Sequence, residues 1–233
     1  INLFSLAGAP AFPLDGTINS INIGKGANSV SGNTVLGESA LDASVSGGSN
    51  TAIGKEALTT NTSGANNTAV GAQALDANTT GSNNVAVGTN TLGTNTEGAS
   101  NVGIGRGALR DNTTASNNTA VGDQALLLNT TGAENTAVGS ISLDANTTGI
   151  ENTAIGYQSL SANTTASFNT ALGRKALRDN TTGASNTAVG TDALLQNTTA
   201  SNNTAVGSSA LGVNTSGSNN VAVGSNTLDA NTS

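Results

Sequence analysis

The seventeen residues Asn67-Thr68-Ala69-Val70-Gly71-Ala72-Gln73-Ala74-Leu75-Asp76-Ala77-Asn78-Thr79-Thr80-Gly81-Ser82-Asn83 decide the architecture, because the chain repeats them almost from end to end. With Gly71 as the anchor, its equivalents are Gly37, Gly54, Gly88, Gly105, Gly122, Gly139, Gly156, Gly173, Gly190, Gly207 and Gly224, with no insertion between them. Four residues before every anchor stands Asn, from Asn33 to Asn220, and four after stands Leu, from Leu41 to Leu228. The residue before the anchor is always Val, Ile or Leu, and the one before that is Ala except at Val35 and Gly103. Seven after the anchor is Asn in every repeat but one, where Ser44 stands. The unit reads N-[TV]-A-[VI]-G-x-x-A-L-x-x-N-T-T-G-x-x.

A period of seventeen is half that of the helical repeats, which need about 33 to 34 residues of helix former. This unit offers β-branched residues, Gly and Asn instead. It predicts an all-β fold, a parallel β-solenoid (β-roll) of twelve 17-residue coils, each strand pairing with its equivalent one coil up and down. At about 4.8 Å per coil the rod is roughly 55 to 60 Å long. Residues 33–233 form the repeat region, 20–32 read as a degenerate first coil, and 1–19, with both prolines and an apolar cluster, read as a cap or junction. The chain stops inside a repeat at Ser233, which favours a fragment, a processed product or a subunit that stacks end to end.

Composition removes most chemistry. The 233 residues include 34 Asn, 35 Thr and 30 Gly, no His, Cys, Met or Trp, and only 2% aromatic residues. Without His or Cys there is no Ser-His or Cys-His nucleophile, zinc finger, haem ligation or disulfide. The net charge of -7 speaks against nucleic acid, whose phosphates require a basic excess. No apolar run approaches the roughly 20 residues that span a bilayer, so no membrane insertion by this segment is expected. Carboxylates scatter without a convergent pair, the Gly- and Asp-rich calcium nonapeptide is absent, and no catalytic residue, metal or cofactor is assigned. The chain reads as a non-enzyme.

Alternation along the strand puts Val70 and Thr68 on one face and Ala69 and Asn67 on the other. Hydrophobicity then places the larger side chains inside: Val70 with Leu75, Val121 with Leu126 and Val206 with Leu211 as the core. Ala69, Ala86, Ala120, Ala137, Ala154 and Ala188 become an outward stripe, small and uncharged, whose cover is another copy of the chain, making it the oligomer interface. With Thr assigned to the core face, an ice-binding role for the Thr columns is set aside. Charged residues fall one, two, five and six after the anchor and mark a solvated rim, on which Arg174, Lys175 and Arg178 near Tyr157 and Phe168 are the one place to meet a host-surface glycan or protein receptor.

The Asn columns are read as structural ladders, with Asn67, Asn84, Asn118 and Asn135 in the first and Asn78, Asn112 and Asn129 in the second. Ten second-column residues, from Asn61 to Asn231, also sit in N-x-[ST] sequons. A ladder Asn cannot carry a sugar as well, and Asn95 keeps the column although Glu97 spoils its sequon.

The segments Asn84-Val85-Ala86-Val87-Gly88, Asn101-Val102-Gly103-Ile104-Gly105 and Asn220-Val221-Ala222-Val223-Gly224 resemble the head repeats of YadA-type trimeric autotransporter adhesins, and the full unit is similar to repeats of phage tail-fibre proteins. The resemblance covers about residues 20–233. It implies a β-roll, a homotrimeric fibre and a role in adhesion or display on a cell surface or virion. The coil of seventeen departs from the shorter adhesin unit, and no coiled-coil stalk or anchor accompanies it. The expectation is an extracellular structural fibre; the alternative is a self-assembling filament subunit stacking end to end.

Overall fold

A computed structural model describes residues 16–18, 21–43 and 45–232 of the chain. The described residues form an all-β parallel β-solenoid of about eleven turns spaced seventeen residues apart. Its twelve repeat strands are β3 (Thr34–Gly37), β4 (Thr51–Ile53), β5 (Thr68–Val70), β6 (Val85–Val87), β7 (Val102–Ile104), β8 (Thr119–Val121), β9 (Thr136–Val138), β10 (Thr153–Ile155), β11 (Thr170–Leu172), β12 (Thr187–Val189), β13 (Thr204–Val206) and β14 (Val221–Val223). They line up in sequence order in one sheet, each residue opposite its equivalent seventeen on, as Ala137 opposite Ala154 and Ala154 opposite Ala171. Ladder bonds continue outside the strands: Gln73 N donates to Lys55 O at 2.9 Å and Thr79 N to Thr96 O at 2.9 Å. Each coil therefore rests on the last around most of its perimeter.

The anchor glycine is unbroken because nothing else fits. Gly71 has φ +140°, and a Cβ there would collide with the carbonyl of Gly88 in the next coil. Less expected is the left-handed conformation of the Leu column, for example Leu75 at φ 52° and Leu126 at φ 54°. That geometry costs an L-residue about 1 kcal/mol or more, and the fully buried leucyl side chain it aims inward offsets the cost.

Before the solenoid, β1 (Gly16–Ile18) and β2 (Ile21–Gly24) make an antiparallel hairpin, and β2 runs antiparallel to β3. Residues 20–32 are thus not a simple parallel coil. The strand is reversed, while the following segment stacks like a turn, with Ala27 N bonded to Leu41 O and Asn28 Nδ2 to Val45 O. Of the segment expected to cap the rod, residues 1–15 and 19 lie outside the described residues.

The core corrects the expected facing of the strand. Ala69, Ala86, Ala120, Ala137, Ala154 and Ala188 are wholly buried within the single chain, with the Leu column from Leu41 to Leu211 and the first-column Asn from Asn50 to Asn203. Val70 and Val121 are half-buried on the outside, and Val206 is 36% exposed. Leu75, Leu126 and Leu211 are core; Val70, Val121 and Val206 are not, and the alanines are not an interface. The reason is thickness. A one-layer coil has room for one large side chain, and Leu takes it, so the facing strand position must be small. The coil at Gly103 shows the limit: Thr91 replaces the usual Ala beneath it, and a Cβ on Gly103 would stand 2.6 Å from Thr91 Cγ2.

Candidate functional surfaces and the asparagine ladders

Inside the rod the two Asn columns do different work. In the first, Asn67 Oδ1 accepts from Asn84 N at 2.9 Å and Asn67 Nδ2 donates to Gly81 O at 2.8 Å, so one side chain ties its own turn closed and holds the next. In the second, Asn78 Nδ2 donates to Asn61 Oδ1 at 2.8 Å and to Gly81 O at 3.0 Å, while Asn78 Oδ1 accepts from Asn95 Nδ2 at 2.9 Å. Both columns converge on one carbonyl per coil, here that of Gly81. The same pattern holds for Asn84 on Gly98, for Asn112 on Ala115, and for Asn118 and Asn129 together on Gly132. Asn135 repeats it on Gly149. Buried amides satisfied in this way stabilise the coil, whereas one left unpaired costs about 1 to 3 kcal/mol.

These bonds settle the second-column sequons on geometry. Asn78, Asn112 and Asn129 are fully buried and both hydrogens of each Nδ2 are engaged. A sugar on any of them would displace a ladder bond and open the coil.

Outside, the rod presents three different surfaces. The first is the outer face of the sheet. Its two columns are Thr or Val at the start of each strand and Val, Ile or Leu at the end, and neither column holds a charged residue in any of the twelve repeats. Leu36, Val87, Ile104, Ile155, Leu172 and Val206 are exposed along it, with Leu172 at 44%. Thr68, Thr119 and Thr204 are displayed beside them, so the ground on which ice binding was set aside does not hold.

The second surface is the rim, which carries Lys55, Arg106, Arg110, Arg174, Lys175 and Arg178. Its ion pairs are Arg106 to Asp123 at 2.9 Å, which is exposed, and Arg110 to Asp111 and Arg178 to Asp179, each at 2.6 Å and half-buried. Such pairs contribute about 0 to 1 kcal/mol each. Their carboxylates hold the Arg110 and Arg178 guanidinium pKa values above the ordinary range, chiefly through the side-chain hydrogen bonds. Arg178 is thereby committed to its neighbour, and Arg174 stands 3.8 Å from Asp192. Tyr157 follows its anchor one coil before Arg174, and its backbone O accepts from Lys175 N at 2.9 Å, while Phe168 precedes its strand. Tyr157 therefore stands beside the basic cluster, whereas Phe168 lies at the other end of the strand.

Two rim carboxyls have raised pKa values. Burial pushes Asp144 up to about 6, and its Oδ1 has no hydrogen-bond partner. Burial also raises Asp76, reinforced by the charge of Glu56. They stand four coils apart, about 19 Å, far beyond the separation of about 5 to 9.5 Å at which two carboxyls share a glycoside cleavage. Among the described residues no cluster of His, Cys, Asp and Glu is suited to a metal ion, and no helix is long and apolar enough to cross a membrane.

The third surface is a hydroxyl and amide side with Thr79, Thr80, Ser82 and Asn83 and their equivalents, interrupted by Glu97, Glu134 and Glu151 and by Ile150 and Phe168. Ser82 Oγ accepts from Ala65 N at 3.1 Å, and Thr79 Oγ1 donates to Thr96 O at 2.9 Å, so part of this surface is bound into the ladder.

No protein-family model matches the chain, and neither a curated protein nor a solved structure matches it.

Proposed function

We propose that the protein is a structural element of an extracellular fibre, built from parallel copies packed through the outer face of the sheet, in a homotrimer as the resemblance to YadA-type heads implies, and serving adhesion or display. One observation carries the reading. The sheet-face and rim columns are both partly exposed in a lone chain, yet the rim columns hold sixteen charged residues in the twelve repeats while the two sheet-face columns hold none. A strip about 55 to 60 Å long with its two columns about 7 Å apart covers about 400 Å², the size of the largest apolar patches on monomers, which are often functional. A second copy of the same face would cover its aliphatic side chains without burying a charge. The repeats run from Asn33 onward without insertion, which supports a structural rather than a catalytic role, and a glycan or protein receptor would meet the rim.

The particle mass of the full chain, by light scattering over a concentration series, tests this. A constant mass of three chains is expected. A monomer at all concentrations overturns the interface, and leaves the Thr and Val face free for a crystalline surface such as ice. A particle that lengthens with concentration replaces the closed assembly with the filament.

A further inference from the structure

We propose that Asn66, Asn117 and Asn202 are acceptors for an asparagine-linked glycan on the folded chain, and that they are the acceptors the fold leaves available. Each begins an N-N-T tripeptide immediately before a strand. The N-x-[ST] acceptor needs an accessible amide and a hydroxyl two residues on. Asn66, Asn117 and Asn202 are exposed, and their backbone amides bond to Gly48, Ala99 and Ala184 while no hydrogen bond engages their side chains. The required hydroxyls belong to Thr68, Thr119 and Thr204, the first residues of β5, β8 and β13, on the outer face. In contrast, the second-column sequons from Asn61 to Asn214 are fully buried, and Asn231 is half-buried and bonded to Asn214 Oδ1 at 3.1 Å.

The molecule contains its own controls. Asn83 and Asn219 occupy the same slot, exposed and with φ of 62° and 63° against 60° at Asn66, but the residue two on is Val85 or Val221. Asn is favoured in this left-handed slot for backbone reasons alone, so its presence does not distinguish the two groups; the strand-initial Thr does. In the transfer, the bond between the reducing-end C1 of a lipid-pyrophosphate-linked oligosaccharide and its pyrophosphate oxygen breaks. The bond from Asn Nδ2 to C1 forms, the Nδ2 proton passes to a base of the transferase, and lipid pyrophosphate leaves.

The experiment treats the folded full chain with an oligosaccharyltransferase that reads N-x-[ST] and a lipid-linked donor, and maps the modified peptides by mass spectrometry. Three glycans are expected, at Asn66, Asn117 and Asn202. The unfolded chain, which offers thirteen sequons, verifies that the enzyme is competent. Val85→Thr is expected to add a fourth at Asn83, and Thr68→Val to remove the one at Asn66 without altering the solenoid. A folded chain unmodified at any of the three, or modified at Asn83 without the substitution, or modified in the buried column, overturns the proposal. Because Thr68, Thr119 and Thr204 lie on the face proposed to pack against other copies, the reaction is run on the Val138→Glu chain, which is expected to stay monomeric, so that a missing glycan reports on the acceptor and not on association.

Discussion

The two sides of the same three-residue strand follow opposite rules. The inner side repeats Asn and Ala with almost no variation and is sealed from water; the outer side exchanges Thr for Val and Val for Ile or Leu freely and remains partly wet. Hydrophobicity alone would have reversed them. The difference teaches that in a thin coil position is decided by volume and by backbone hydrogen bonding before apolarity: the interior needs an amide to close each turn and a methyl to pass beneath Leu, and the larger aliphatics go where there is room.

Breaking the inner side should have the largest effect. Asn118→Ala removes the acceptor of Asn135 N and the donor to Gly132 O, both buried. Asn135 N is left unpaired while Gly132 O keeps Asn129 Nδ2, so the chain is expected to lose about 2 to 4 kcal/mol, about 1 to 3 for the unpaired donor and about 1 for the lost bond, read as a shift in the denaturation midpoint. Next is the local exception. Gly103→Ala is expected to cost about 1 to 3 kcal/mol through the overlap with Thr91 Cγ2, and most of that should return when Thr91→Ala is added. A double-mutant cycle showing no coupling would refute the packing account. On the outer side, Val138→Glu is expected to change the unfolding of the isolated chain by less than about 0.5 kcal/mol, yet to abolish association in sedimentation; an unaltered particle mass would remove the sheet face from the assembly.

The smallest effect lies on the rim. The Asp144 carboxyl is raised from its ordinary value of 3.8 to about 6 in the folded chain by burial. The folded state therefore binds this proton more tightly than the unfolded state. The group's stabilising contribution is complete below about pH 3.8 and is lost as pH rises through about 6. Asp144→Asn is expected to stabilise the protein at pH 7 by about 1 kcal/mol or less once solvent screening is allowed for, and to flatten stability between pH 4 and 6. A steeper pH dependence in the variant would contradict the assignment.

Much of this was legible beforehand. The unbroken anchors fix the coil length, the glycines and Asn-Thr-Thr-Gly segments fix the turns, and the Leu and Asn columns announce an ordered interior. The facing of the strand was not, because alternation defines two faces without saying which is inside, and Val70 outranks Ala69 on any hydrophobic scale. A signal was present all the same: Ala69 shares a face with Asn67, and an unvarying Asn belongs where a backbone group depends on it. The substitution of Gly103 for Ala one coil after Thr91 replaced Ala was a second sign, since two exceptions in adjacent coils mark contact. The reversed β2 was hidden because Ile21 to Gly24 carries the same alternation as the repeat strands, and strand direction leaves no periodic trace.

The pairing of every residue with its equivalent seventeen on makes the coil a unit of currency in length. Excising residues 118–134, one whole period, should shorten the rod by about 4.8 Å and rejoin Asn101 to Asn135 as it was joined to Asn118, whereas removing sixteen residues would put every column out of step at once. Segments of this kind can therefore be lengthened or shortened only in whole steps, and at the joint of Thr91 and Gly103 losing the Gly103 coil alone would set Thr91 against Ala120.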